Sequence, residues 1–195
     1  MAIYRIETGQ PQRRAAVRAA FDGLDLVGED LREKIVTAWV SVWVSSTHDE
    51  LDRMPYSPDL PDFPLIRHVN EVCRTGLDLA RRAEIEWERP YGHDTLVPIF
   101  LLHDIDKPLI YETRGGEIDY APLARQLPHG VIGAMLLREL GFDDHIVATV
   151  ATHAVNAPFH GSTHEAYILH YADLFSSDRA LADGGKTPFY QRHFA

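Results

Sequence analysis

Apolar residues recur at helical spacing along most of this chain. Ala15, Val17, Ala19, Ala20 and Phe21 give residues 11–22 a partial apolar face. A longer helix is predicted from Glu29 to about Leu51, where Ile35, Trp39, Val42 and Trp43 repeat at that spacing and the acidic pair Glu29-Asp30 opens the first turn. The β-branched residues within Val40–Val44 would serve equally in a strand. Pro55, Pro58, Pro61 and Pro64 then break the pattern, so this stretch reads as a connection that wraps the domain or covers the mouth of a cleft. Residues 65–87 form a clear helix with Val72, Leu77, Leu79 and Ala80 along it. The run Thr95–Ile105 is apolar from Leu96 to Leu102 apart from Pro98. Such a segment is a helix buried on all sides, with Pro98 expected in its first turn.

Beyond Lys107-Pro108 the period shortens. Leu109–Glu112 and Glu117–Tyr120 flank Gly115-Gly116, which predicts two short strands around a turn. Helical spacing returns over 127–140, with Gly141 as C-cap, and over 143–154. A last long helix is predicted from a capping box at Ser162-Thr163-His164-Glu165 to about Ser177. The sum is an all-α domain with a small β-hairpin insertion near residues 109–120. Residues 1–63 form a helical extension packed on the domain, 64–179 the main domain, and 180–195 an irregular tail.

With 195 residues, 45% of them hydrophobic and 25% charged, the chain is long enough to bury a sizeable core. No apolar run approaches the roughly 20 residues of a membrane helix, and Met1–Gln10 lacks the basic start and apolar centre of a leader, so a cytoplasmic, membrane-free protein is expected. A net charge of −10 counts against nucleic acid or anionic lipid as partner, though not against a small anionic substrate. Cys73 is the single cysteine, which excludes an internal disulfide and a thiolate metal cluster. Any metal must therefore be held by imidazole and carboxylate.

Those groups occur in a telling order: His68, the pair His103-Asp104, His129, His153 and Asp173, with each gap long enough for a helix and a connection. Four imidazoles and two carboxylates are enough for two divalent ions. A single His-Asp dipeptide carries no signal, as His48-Asp49 and His93-Asp94 illustrate. In its ordered setting, however, the run Leu101-Leu102-His103-Asp104-Ile105-Asp106-Lys107, with His68 upstream and Asp173 downstream, resembles the HD-domain superfamily of metal-dependent phosphohydrolases over about residues 64–179.

The resemblance implies an HD-type helical bundle. It implies that His68, His103, Asp104 and Asp173 hold a first ion and that His129 and His153, with Asp104 as bridge, hold a second. Fe, Mn, Ni, Co, Zn and Mg are all compatible with this donor set. The implied activity is hydrolysis of a small phosphorylated or nucleotide-like substrate through a metal-activated water. Asp104 would then be catalytic, with Lys107 as catalytic and substrate-contacting cation, Arg67 and His160 as substrate contacts, and His164 as general acid. Asp106 stands where relatives that cleave cyclic dinucleotides carry glycine, and their Gly-Tyr-Pro signature is missing, so that substrate is not supported.

Superfamily members with the same ligands hold a mixed-valence iron pair and use dioxygen, and a metal-stabilised binding protein without catalysis is a further alternative. Taken singly, His153 on its apolar helix is more often a hydrogen-bonded core residue. Taken together, six such groups would be costly to desolvate without a cation. Lys107 and Arg67 could equally be solvated surface cations. Gly185-Lys186-Thr187 lacks the first glycine of a P-loop, since Ala180 occupies that position, and Gly-x-Ser-x-Gly is absent. Trp39, Trp43 and Trp87 read as core or interface aromatics, and the Trp39–Trp43 helix offers a homodimer face.

Overall fold

The computed structural model describes residues 3–157 and 159–192. Nine α-helices are found among them: α1 (Pro11–Ala20), α2 (Glu29–Ser45), α3 (Leu65–Trp87), α4 (His93–Leu102), α5 (Lys107–Ile110), α6 (Val131–Glu139), α7 (Asp144–Thr152), α8 (His164–Asp183) and α9 (Phe189–Arg192). Two antiparallel hairpins join them, β1 (Pro55–Ser57) with β2 (Leu60–Pro64) and β3 (Tyr111–Arg114) with β4 (Glu117–Tyr120), along with three short 3-10 turns at Leu24–Leu26, Leu51–Arg53 and Pro122–Arg125. The molecule is thus an all-α bundle with small β insertions. None of the described helices is long and apolar enough to cross a membrane.

The strand alternative for Val40–Val44 is not realised. Residues 35–43 of α2 are buried without interruption, and a helix enclosed on every side is chosen by packing, which overrides the weak helix propensity of valine. Trp39 lies wholly inside and donates its indole N–H to the Leu101 carbonyl at 3.1 Å, tying α2 to α4. Trp43 is buried as well, so both tryptophans of the anticipated dimer face are used inside the single chain. Trp87, at the end of α3, is exposed.

Several boundaries differ from expectation. Helix α2 stops at Ser45 rather than Leu51. The proline-rich connection folds as the β1–β2 hairpin, because two of its prolines lie at the ends of a two-stranded ribbon where no second ladder is needed. Pro98 lies in the interior of α4 rather than in its first turn. Helix α8 is capped one residue later than the Ser162 box implied, by the Thr163 hydroxyl, which accepts from the Ala166 amide at 3.2 Å. It also continues to Asp183, and α9 follows, so residues 180–183 and 189–192 of the expected irregular tail are helical.

Helix α3 is the backbone of the site, packing on both α4 and α8. Its approach to α4 is set by Gly76: a β-carbon there would lie 2.5–2.8 Å from atoms of the Phe100 ring. A larger residue would push the two helices apart, and α3 and α4 carry His68 and His103.

Candidate metal centre

Each member of the ordered set is delivered by a different local device. His68 projects from the first turn of α3, Asp173 from the middle of α8, and His153 from the C-cap of α7. His103 is the C-cap of α4. The chain leaves the α-helix there. Ile105 N donates to Leu102 O at 3.2 Å and Lys107 N to Asp104 O at 3.1 Å, a tighter winding than the helix that sequence periodicity extended to Ile105. In consequence His103 Nε2 and Asp104 Oδ2 come within 3.4 Å, although neighbours on an α-helix point about 100° apart.

His129 lies in the turn before α6, where Gly130 has φ +90° and a β-carbon would meet the Val150 carbonyl oxygen at 2.7 Å. Glycine is thus required twice over, for its left-handed backbone and for the approach to α7. The Gly130 amide donates to Asp106 Oδ2 at 2.7 Å.

Asp104 is the centre of the assembly. Its Oδ1 lies 2.8 Å from His129 Nε2 and 3.4 Å from His153 Nε2; its Oδ2 lies 3.1 Å from His68 Nε2 and 3.4 Å from His103 Nε2. Two groups capable of holding a cation share this carboxylate: His68, His103 and Asp104, and Asp104, His129 and His153. Asp173 Oδ1 joins the first side at 3.4 Å from His68 Nε2 and accepts the Ser177 hydroxyl at 2.8 Å.

The hydrogen bonds on the outer ring nitrogens fix what the inner ones can do. His103 Nδ1 faces the Phe100 carbonyl at 2.8 Å and His153 Nδ1 the Val150 carbonyl at 2.7 Å, so both must donate there. Asp106 Oδ1 takes His129 Nδ1 at 2.8 Å. His68 Nδ1 is 3.0 Å from the Ser176 hydroxyl, whose own hydrogen is given to Glu71 Oε2 at 2.8 Å, so this ring also donates outward. Arg179 in turn grips both oxygens of Glu71 at 2.8 and 2.9 Å. With their outer nitrogens so engaged, the four imidazoles in their neutral form turn four Nε2 lone pairs onto one carboxylate. His68 Nε2 and His103 Nε2 are only 3.1 Å apart.

Such an arrangement is repulsive unless positive charge fills it. Asp104 Oδ2 is buried and has no hydrogen-bond partner among the described residues; Lys107 Nζ lies 2.6 Å away but contributes charge rather than an aligned hydrogen bond. Burial would raise the Asp104 pKa, yet Lys107 and His103 hold it well below the ordinary value. Burial would likewise lower that of His129, but the Asp106 and Asp104 carboxylates lift it to about 10, so a proton occupies the space when nothing else does. His153, buried and close to His129 and His103, is pushed down. An orphaned carboxylate oxygen amid converging imidazole lone pairs fits a divalent cation.

Lys107 is buried, with Nζ 3.6 Å from the centroid of the Tyr56 ring. It is no solvated surface cation. Arg67 is exposed and paired with Glu71 at 3.2 Å. His164 packs against the Trp87 ring with centroids 5.6 Å apart, and His160 lies 6.2 Å from the His170 ring. None of these three lines the cavity of about 740 Å³ that opens over Asp104, Lys107, His129, His153 and Asp173. Phe189 and Arg192 of α9 do line it, as do Tyr56, Tyr111 and Tyr120. Cys73 is buried, which with the nearby Asp22 charge pushes its thiol up to about 12, far from a working nucleophile.

Asp106, Glu71 and Ser176, which meet the outer sides of His129 and His68, were not anticipated as partners of these histidines. The run His103-Asp104-Ile105-Asp106 and the helical offsets His68 to Glu71 and Asp173 to Ser176 are visible in the sequence, but only the fold shows that they meet.

No family model and no solved structure matches the chain. A similar protein is the dihydroneopterin 2',3'-cyclic phosphate phosphodiesterase of Methanocaldococcus jannaschii, 31% identical over 111 residues, which are 56% of this chain and 44% of that protein. The match therefore spans less than half of the relative's length.

Proposed function

We propose that the protein is a metal-dependent phosphohydrolase of the HD type, cleaving a phosphoester in a small molecule at a site that holds two divalent ions. The observation that carries this reading is the set of four histidines whose Nδ1 atoms are each engaged by an acceptor and whose Nε2 atoms all turn to Asp104. His68, His103, Asp104 and Asp173 would hold one ion, and His129, His153 and Asp104 the other. Similarity to a relative named as a cyclic phosphate phosphodiesterase supports a phosphodiester as the bond attacked. When bound, the ions would supply Lewis acidity and lower the pKa of a water in the site to near neutrality.

The chain's own residues supply the rest. Asp104 offers one oxygen to each half of the site. Lys107, buried beside it, provides a fixed positive charge facing the cavity, suited to a phosphate oxygen. Lys107 and Arg192 are the two Lys/Arg side chains among the described residues that line the cavity, which favours a substrate with a single phosphate over a polyphosphate chain.

The test is hydrolysis of bis(p-nitrophenyl) phosphate by metal-stripped protein reloaded with Mn, Co or Ni, with and without dioxygen. Oxygen-independent turnover that needs the metal and is lost in Asp104→Asn, with the helical circular dichroism retained, is the expected result. Turnover that survives chelation, or that Asp104→Asn leaves intact, would contradict the assignment.

A further inference from the structure

A second hollow, of about 310 Å³, lies between the C-terminal half of α3 and the N-terminal half of α8. Leu79, Ala83 and Trp87 line it from α3, and Tyr167, Ile168 and Tyr171 from α8; none of the six lines the cavity over Asp104. The Trp87 and Tyr167 rings have centroids 5.8 Å apart, and those of Tyr167 and Tyr171 are 4.7 Å apart. Phe175 stands one turn further along α8, four residues beyond Tyr171 and so on the same side of the helix, yet outside the hollow. Helix α8 is thus apolar on two sides, since Leu169, Ala172 and Ala180 on its opposite side are buried.

Trp87, Tyr167, Tyr171 and Phe175 are 45%, 52%, 50% and 67% exposed. Such side chains carry roughly 150–250 Å² each, so the four present about 400 Å² of aromatic surface to water. That is half of the roughly 800 Å² that each partner of a stable complex buries. Leu79 and the stems of Arg82 and Glu86, which also line the hollow, extend it. Single scattered rings need no explanation, but a patch of this size on one face marks an interaction surface.

We infer that the occupant of this face is a second copy of the chain, in a two-fold dimer with the two α8 helices antiparallel. The register argues for it. Tyr167, Tyr171 and Phe175 are evenly spaced, so an axis beside Tyr171 sets Phe175 of each chain opposite Tyr167 of the partner subunit. The protruding ring then enters the hollow walled by Trp87. Ring and hollow lie on one face of one chain, which is what an isologous contact requires. Charge agrees: Arg82 and Glu86, paired at 2.9 Å beside the hollow, are one cation and one anion, so this rim is neutral and can meet itself. A chain with net charge −10 repels its copy over most other faces.

The experiment is sedimentation velocity of the full chain across the micromolar concentration range. Twice the mass of the chain is expected. Phe175→Glu and Tyr167→Glu are each expected to weaken the dimer about 30-fold or more, the scale of a buried aromatic anchor. Both side chains are exposed, so the variants should keep the helical circular dichroism of wild type. A protein that stays monomeric throughout that range, or a dimer that both variants leave intact, overturns the inference.

Cysteine cross-linking tests the register. Tyr171→Cys places a thiol beside the axis, next to its own copy, and the native Cys73 is buried and does not compete. Mild oxidation is expected to join Tyr171→Cys chains into covalent dimers and to leave Glu117→Cys, at the exposed turn of the β3–β4 hairpin, largely unjoined. Cross-linking no faster at Tyr171→Cys than at Glu117→Cys removes the α8 face from the dimer.

Discussion

His129 Nδ1 lies 2.8 Å from Asp106 Oδ1, and Asp106 is itself buried and held by the Gly130 amide at 2.7 Å. One carboxylate thus orients the ring and fixes the turn that carries it. Asp106→Asn keeps the size of the side chain and an acceptor oxygen but removes the charge that makes His129 a strong donor. Its affinity for Mn or Co, measured by competition with a chelating dye, is expected to fall about 10- to 100-fold while the fold is retained. An unchanged affinity would mean that His129 does not take part in binding.

The chain Arg179–Glu71–Ser176–His68 plays the corresponding part on the other side of the site. Ser176→Ala leaves His68 Nδ1 without its acceptor, so the ring can carry its proton on Nε2, where a ligand needs a lone pair. Metal affinity should drop about tenfold or more. Ser176→Thr, which retains a hydroxyl, should recover most of it, whereas a purely packing role would be unaffected by the hydroxyl.

Glu71 also fixes the sign of a pH effect. Burial raises its pKa, but Arg179 and Ser176 outweigh burial and hold it below the ordinary 4.5. A carboxyl whose folded pKa is depressed adds stability above its unfolded pKa and loses it as pH falls through the folded one. Unfolding free energy in urea should therefore decline as pH falls below about 4.5, and Glu71→Gln should show a shallower decline. A variant with an identical acid limb would contradict the pairing.

Gly76 offers a test of the frame. Alanine in the middle of a helix normally stabilises by roughly 0.5–1 kcal/mol over glycine. Here the added carbon would meet the Phe100 ring at 2.5–2.8 Å, and overpacking of this kind costs about 1–3 kcal/mol. The clash wins. Gly76→Ala is expected to lower stability by about 1 kcal/mol in denaturant titration, and Gly76→Ala with Phe100→Leu to recover part of the loss. A more stable Gly76→Ala protein would show that α3 and α4 are not so close.

Much of this was legible in the sequence, and the part that was not has a physical reason. The order of histidines and aspartates is one-dimensional information, and so are the long helices α3 and α8, whose apolar positions repeat over many turns. The tight winding at His103–Asp106 was not visible, because the apolar run simply continues into it. Helix α2 was ambiguous for a related reason: with residues 35–43 all buried, it has no polar face to reveal its period. Arg67, His160 and His164 were placed near the substrate by closeness in sequence; none of them is among the residues that line the cavity, Arg67 pairing with Glu71 and His164 packing on Trp87. Conversely Phe189 and Arg192 reach the cavity from a segment whose sequence showed no pattern. Long-range pairing, not local periodicity, decides these positions.

The most direct test of the central claim is the metal stoichiometry of the purified protein, by elemental analysis and by titration of the stripped chain with Mn or Co. Two ions per chain are predicted, falling to about one in His153→Ala and to none held tightly in Asp104→Asn, with the melting temperature rising as metal is added. A stripped protein that takes up no divalent ion, or an Asp104→Asn variant that binds as many as wild type, would contradict the account.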